Sequence, residues 1–317
     1  ASLSALLKDL GSVAEQWDCA FDVVAVDDGS DQQGNTDELA DICGAFPRIS
    51  SLRIVRLALN LGHQRAIATG LCELADRTDI AGVIVMDSDG EDRPVDIRSL
   101  LTAAEGNPGK VVFARRAKRS EGLVFRMGYL AYKSLFRVLV GKEISFGNFS
   151  FLPMPAVRRL IYMPELWNNL PGSIIRSRLG YCSVDTSRGL RYAGVSHMNL
   201  PSLVAHGFSA MAVYADIVFV RMLIASLVLV ATSVLSMGVV AAIRLATNLA
   251  IPGWATIIFG DLFIILTVAL VVSVATTVTV LSGRSARPFV PIADTPIYVA
   301  RRDIVFQRDP VEDEQDG

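Results

Sequence analysis

Short apolar runs recur through the first third of the chain, each followed by a stretch with helical spacing. FDVVAVD, LRIVRLAL, AGVIVMD and KVVFARR read as strands. SLSALLKDLGSVAEQW, DELADICGAF, RAIATGLCELADR and VDIRSLLTAAEG read as helices. Strand–helix alternation of this kind predicts an α/β domain, and unbroken apolar runs are what strands buried on both faces require. Ligands of such sheets bind beyond the carboxyl ends of the strands. DDGS, NLGHQ, DSDGED and ARRAKR all fall at such ends. From about residue 122 the alternation stops. EGLVFRMGYLAYKSLFRVLVGK reads as a helix with Arg126, Lys133 and Arg137 on one face, suited either to a membrane surface or to packing on the sheet.

The pattern changes again near the C-terminus. The segments between Arg221 and Arg244 and between Asp261 and Arg284 each hold 22 uncharged residues. A bilayer core needs roughly 20, so both are predicted to span. The linker carries Pro252 and Gly253 as turn residues. The excess of Arg at the outer flanks (Arg221, Arg284, Arg287) over the linker (Arg244) predicts both ends in the cytoplasm. Composition agrees: the chain is 51% hydrophobic, with a mean hydropathy of +0.42. The net charge of −2 hides a division. Residues 1–112 are strongly acidic, residues 113–200 strongly basic, and the remainder nearly balanced. An acidic end suits a metal and a basic end suits phosphate or anionic lipid; no nucleic-acid motif accompanies the basic stretch. Cys19, Cys43, Cys72 and Cys182 lack a CxxC spacing and are expected to be reduced and buried.

The densest chemistry is Asp87-Ser88-Asp89, followed at once by Glu91 and Asp92. Residues i and i+2 at a strand end point to the same side, and two carboxylates there suit Mg²⁺ or Mn²⁺ carrying substrate phosphate. So many like charges require a cation or a basic partner. In Asp27-Asp28-Gly29-Ser30 a carboxylate at the strand end can accept hydrogen bonds from a base or ribose, with Gly29 allowing the turn and Ser30 capping the next helix, or the stretch is a plain strand–turn–helix junction. Arg115, Arg116, Lys118 and Arg119 suit phosphate or a solvated loop. Arg191, Ser196 and His197, just before the apolar segments, suit a lipid phosphate. His63, His197 and His206 lack zinc-ligand spacing.

In order, V-x-D-G-S, N-x-G-H-x-x-A, D-x-D, the Arg116/Arg119 segment, Gly147-Asn148-Phe149 and R-x-x-G-x-S precede two apolar helices. This order resembles the family 2 glycosyltransferases that act on polyprenyl phosphate, the dolichyl-phosphate mannose synthase type. The resemblance runs from about residue 20 to 300. It implies a GT-A-type (Rossmann-like), mostly parallel sheet domain followed by two transmembrane helices. It implies Asp28 and Gly29 on the nucleotide, and Asp87 and Asp89 at the metal and diphosphate. It further implies Arg116 and Arg119 on phosphate, with catalytic roles for Asp89, Arg116, Arg119 and Asn148. Glu91, Arg191, Ser196 and His197 complete the substrate contacts. Glu91 stands where the family usually has Gln, Asn148 where many members have Asp, Ser150 where they have Arg, and His197 where they often have Lys. The family's first strand has no counterpart, which predicts a sheet short of a central strand; a truncated sequence is the simplest expectation.

The expectations follow. Residues 1–200 form a cytoplasmic nucleotide-sugar-binding domain, 201–220 a juxtamembrane connection, 221–284 the helix pair, and 285–317 a tail with a disordered acidic end. A metal-dependent enzyme would move a sugar from UDP or GDP to a polyprenyl phosphate. A different lipid acceptor and a non-catalytic nucleotide-sugar-binding scaffold are the alternatives, and a homo-oligomer is left open.

Overall fold

The chain is described by a computed structural model, which covers residues 2–30, 34–116, 134, 137–141, 146–192, 209, 211–247, 253–285 and 287–308, with the side chains of Arg116 and Arg284 excepted. It divides into two units. One comprises residues 1–127, 144–213 and 289–317, the other residues 128–143 and 214–288.

The first unit is the α/β domain. Its elements run α1 (Ser2–Ala14), β1 (Phe21–Asp27), α2 (Thr36–Ala45), β2 (Ile49–Leu57), α3 (His63–Glu73), β3 (Gly82–Val85), α4 (Ile97–Glu105) and β4 (Val111–Arg116). They continue with β5 (Ser150–Pro153), α5 (Met154–Leu160), α6 (Leu170–Arg176), β6 (Tyr181–Thr186), a short α9 (Pro291–Asp294) and β7 (Val299–Gln307). The expected alternation holds as far as β4. Beyond it the sheets become mixed, in the orders β1-β2-β7 and β3-β5-β4-β6. The β1–β2 and β4–β6 pairs are parallel, while β5 and β7 each run antiparallel to their neighbours. β1 and β3 are both edge strands among the described residues.

The two sheets share one core. Leu10, Ala14 and Trp17 of the N-terminal segment pack with Ile97 and Leu100 of α4, Val112 of β4, Val23 of β1 and Ile84 of β3. Ile97 and Leu100 are the inward face of an amphipathic helix, 1% and 0% exposed. Each such burial contributes roughly 1.5–3 kcal/mol. The cysteines are unpaired, as expected. Burial pushes the Cys43 and Cys72 thiols up to about 11, which suits inert packing groups rather than nucleophiles.

The end of the chain departs from expectation. Residues 285–317 were expected to be a tail, yet 299–307 form β7 on the edge of β2. Val305 and Phe306, at its end, join the cluster of Leu39, Ile42 and Leu52. Arg302 makes a bidentate pair with Glu73 (2.7 and 2.8 Å), and Asp303 accepts from Arg56 Nε at 2.9 Å. Phe289 and Tyr298 stack on Trp167. The acidic end, 309–317, lies outside the described residues.

The second unit is a helix hairpin, α7 (Ala215–Ala246) and α8 (Trp254–Ser285). Both helices are long and apolar enough to cross a membrane. Their antiparallel packing follows from two contacts. Ser226 Oγ lies 2.7 Å from Ser273 Oγ, while residues 240–245 share an apolar notch with residues 255–259. The buried positions of α7 are Ser226, Ser233 and Val240, seven residues apart, the spacing of a left-handed helix pair. Arg221 Nη1 donates to the Val138 carbonyl at 2.6 Å, so this end of the expected 122–140 helix belongs to the hairpin unit. Arg126 and Lys133 lie outside the described residues.

Candidate active site

β1 ends in two carboxylates with different duties. Asp27 accepts from the Ser30 amide (2.9 Å) and from Arg56 (3.3 Å), the arginine that also holds Asp303 of β7. Asp28 receives the amides of Leu61 and Gly62, at 2.7 and 2.8 Å, one on each oxygen. Asp28 therefore clamps the NLGHQ loop against the first turn, a task not visible in the sequence. Gly29 (φ +70°) passes so close that a Cβ there would sit 2.7 Å from the Asn60 nitrogen. Ser30 is not the cap of α2. That role falls to Asn35, whose side chain accepts from the Asp37 amide.

After β3 the acidic loop folds on itself and on a basic loop. Asp92 is 3% exposed and accepts from the Asp87 amide at 3.0 Å. Asp89 accepts from the Glu91 amide (2.9 Å) with one oxygen and pairs with Arg191 (3.1 Å) with the other. Glu91, 8% exposed, takes Arg188 at 2.5 Å and Arg191 at 2.8 Å. The hydrogen bond to Glu91 and the charges of Asp89 and Asp87 raise Arg191 above its ordinary value, against desolvation. The crowded acids thus have the basic partner that their charge required. Main-chain contacts seal the two loops. Gly189 donates to the Glu91 carbonyl (2.9 Å) and Tyr192 to that of Asp89 (2.8 Å). A Cβ on Gly189 would lie 2.1 Å from the Gly90 oxygen. Tyr192 also donates to Asp9 of α1 at 2.6 Å. Arg188, Tyr192 and Asp9 were missed in the sequence. The basic pair three residues apart after the strand YCSVDT was the available signal.

The sheet register assembles the rest. β3 and β5 pair Val85 with Ser150, and β4 and β5 pair Phe113 with Ser150. β5 thus lies between β3, which ends two residues before Asp87, and β4, which ends in Arg115 and Arg116. The Ala114 amide, 2.9 Å from the Phe149 carbonyl, continues the second ladder. Arg115 pairs with Asp185 of β6 at 2.7 Å, which lowers the Asp185 carboxyl by hydrogen bond and charge. Ser150 is fully buried and donates to the Asn148 carbonyl at 2.8 Å. Asn148 Oδ1 receives Gln64 at 2.9 Å. Arg116 closes β4 opposite Thr186. Its side chain and all of Arg119, Ser196 and His197 fall outside the described residues, so the structure neither gathers nor separates them.

A divalent cation at this loop would have to draw on Asp87 and Asp89. Among the described residues there is no cluster of three His, Cys, Asp or Glu placed to hold a metal. The carboxylates of Asp87 and Asp89 are two hard donors, the number a Mg²⁺ needs when it arrives with diphosphate oxygens. One oxygen of Asp89 would have to exchange Arg191 for the ion.

Residues 3–159 match the family model described as glycosyl transferase family 2. No curated protein matches the sequence.

Proposed function

We propose that the chain, whose residues 3–159 match the family model described as glycosyl transferase family 2 and which has two helices long and apolar enough to cross a membrane, is a membrane-anchored glycosyltransferase. It moves a sugar from a UDP- or GDP-linked donor to a polyprenyl phosphate at the cytoplasmic face. The observation that carries this reading is the pairing of the acidic loop with a basic one, Arg191 on Asp89 and Glu91 and Arg188 on Glu91. In this reading the two loops are the cation-holding and the phosphate-holding sides of one site.

Each residue has a task in this reading. Asp87 and Asp89 hold the cation that comes with the diphosphate; bound there, it would neutralise charge on the departing group. Glu91 keeps Arg188 and Arg191 beside the same loop, so guanidinium donors stand where phosphate oxygens gather. Asp28 and Gly29 hold the first two loops in register around the nucleotide. Arg116 and Arg119 meet the acceptor phosphate, with Ser196 and His197 toward the lipid. The acceptor needs no base. A phosphate monoester has a second pKa near 6 and is already a nucleophile at neutral pH. Its oxygen attacks the anomeric carbon as the bond to the diphosphate breaks, and positioning supplies much of the rate.

The test is transfer of labelled sugar from a panel of UDP- and GDP-sugars to farnesyl phosphate, with Mg²⁺ or Mn²⁺ supplied. Transfer that falls by about a hundredfold or more in Asp89→Asn supports the reading. No transfer from any donor in the panel removes it.

A further inference from the structure

Gln64 is a buried amide, 7% exposed, at the start of α3. Three elements meet on it. The amides of a helix's first turn lack intrahelical acceptors. In α6 the Asn169 side chain satisfies Gly172 (2.8 Å), and Gln64 Oε1 satisfies Leu170 (2.9 Å). A backbone N–H can only donate, so the orientation of the Gln64 amide is fixed by chemistry. Its nitrogen must face the other way, toward Asn148 Oδ1 and His63 Nε2, each at 2.9 Å. That nitrogen only donates. Asn148 must therefore present its oxygen to Gln64, and His63 must present a lone pair at Nε2 and carry its proton on Nδ1.

The consequence falls on the other half of Asn148. Its Oδ1 is occupied and its main-chain carbonyl is held by Ser150. What remains is an NH₂ group, two donors with no acceptor among the described residues.

We propose that Gln64 is a positioning residue that sets the hydrogen-bond polarity of Asn148, so that position 148 offers donors to an anionic acceptor rather than a base to a neutral hydroxyl. This rests on the proposed transferase reading and sharpens it. A residue that would deprotonate a hydroxyl must accept a proton; a residue that steadies a phosphate must donate one to a hydrogen bond. The amide lock selects the second. It also accounts for an amide standing where an acid would serve a hydroxyl acceptor.

Two variants test the proposal. Gln64→Glu keeps an oxygen for Leu170 but removes both donors, so Asn148 turns its oxygen outward and His63 moves its proton to Nε2. Asn148→Asp leaves Gln64 as it is and turns an anion outward, with no buried bond lost. Both should raise the KM for farnesyl phosphate by about tenfold or more, the loss of a charge-assisted hydrogen bond. The KM for the nucleotide-sugar should stay within about twofold. Nitrogen-15 NMR of the full chain, with His63 identified by its loss in His63→Asn, should show the Nδ1–H tautomer, and the Nε2–H tautomer in Gln64→Glu. An Nε2–H tautomer in the unaltered chain, an unchanged acceptor KM in Asn148→Asp, or faster transfer by that variant each overturns the proposal. A chain that transfers to no phosphate acceptor removes the proposed function and the anionic half of this inference. The histidine tautomer then still decides the orientation of Gln64.

Discussion

The two units treat polar and apolar side chains in opposite ways. In the α/β domain the apolar groups lie inside, and the few buried acids are compensated. Glu91 has two arginines and Asp92 a backbone amide. In the helix hairpin the inside is lined by Ser226, Ser233, Ser273 and Thr276, while Leu235, Ile264 and Val271 stand 70%, 62% and 63% exposed. A helix pair in water would bury its Leu and Ile and expose its Ser. The reverse arrangement is stable where the surroundings are as apolar as leucine, because the hydroxyls then have only each other and the backbone for partners. Ser226 and Ser273 meet, and Ser273 also donates to the Ala269 carbonyl. The difference teaches that burial must be read against the solvent each unit meets.

The sharpest way to break this comparison is a charge on the hairpin's outer surface. Val271→Lys, at an exposed position near mid-helix, is expected to cost about 2.5–3.5 kcal/mol of membrane insertion. A glycosylation-reporter insertion assay measures it. The same exchange on a water-facing surface stays within about 0.5 kcal/mol, so a similarly small effect here would remove the lipid-facing reading. Next in size is Glu91→Ala. It takes Glu91 from Arg188 and leaves Arg191 with Asp89 alone, both guanidiniums being partly solvated, and should lower the domain's unfolding free energy by about 2 kcal/mol in chemical denaturation. A smaller loss belongs to the hairpin interior. Ser226→Ala should weaken helix association by about 0.6 kcal/mol, measured by steric-trap unfolding in bicelles. The smallest effect has the opposite sign. Desolvation raises the Asp96 carboxyl, with Arg93 opposing and Asp92 reinforcing. A carboxyl raised in the folded state favours its protonated form. Stability is therefore lost as pH rises from the unfolded Asp value of about 3.9 through the raised folded one. Asp96→Asn should lift the melting midpoint at pH 7 and leave it unchanged well below pH 3.9, as differential scanning calorimetry at the two pH values would show.

Particular residues show how much could be read in advance. The strands ending at Asp27, Val85 and Arg116 and the two apolar helices were legible because each is encoded by local periodicity. The need for a partner to Asp87, Asp89, Glu91 and Asp92 was legible from charge alone. That the partner includes Arg191 and Arg188, a hundred residues away, was not, since no local pattern records which loops a sheet brings together. Asp28 could be read as a carboxylate at a strand end but not as the clamp of the NLGHQ loop, because a carboxylate serves a ligand or a backbone amide equally well. β7 escaped notice for a related reason. VARRDIVFQ is too charged to read as a core strand, and only the cations and acids already waiting on it, Glu73 and Arg56, make it one.

By itself, then, the sequence determined the elements: where strands end, which segments suit lipid, and where acids and bases accumulate. These follow from the repeat of the backbone and the transfer energies of side chains, which act over a few residues. The tertiary structure decided the pairings: Ser150 between Val85 and Phe113, Arg191 on Asp89 and Glu91, Gln64 between His63, Asn148 and Leu170, and β7 on β2. Those depend on strand order and register, which are settled only when the whole core closes.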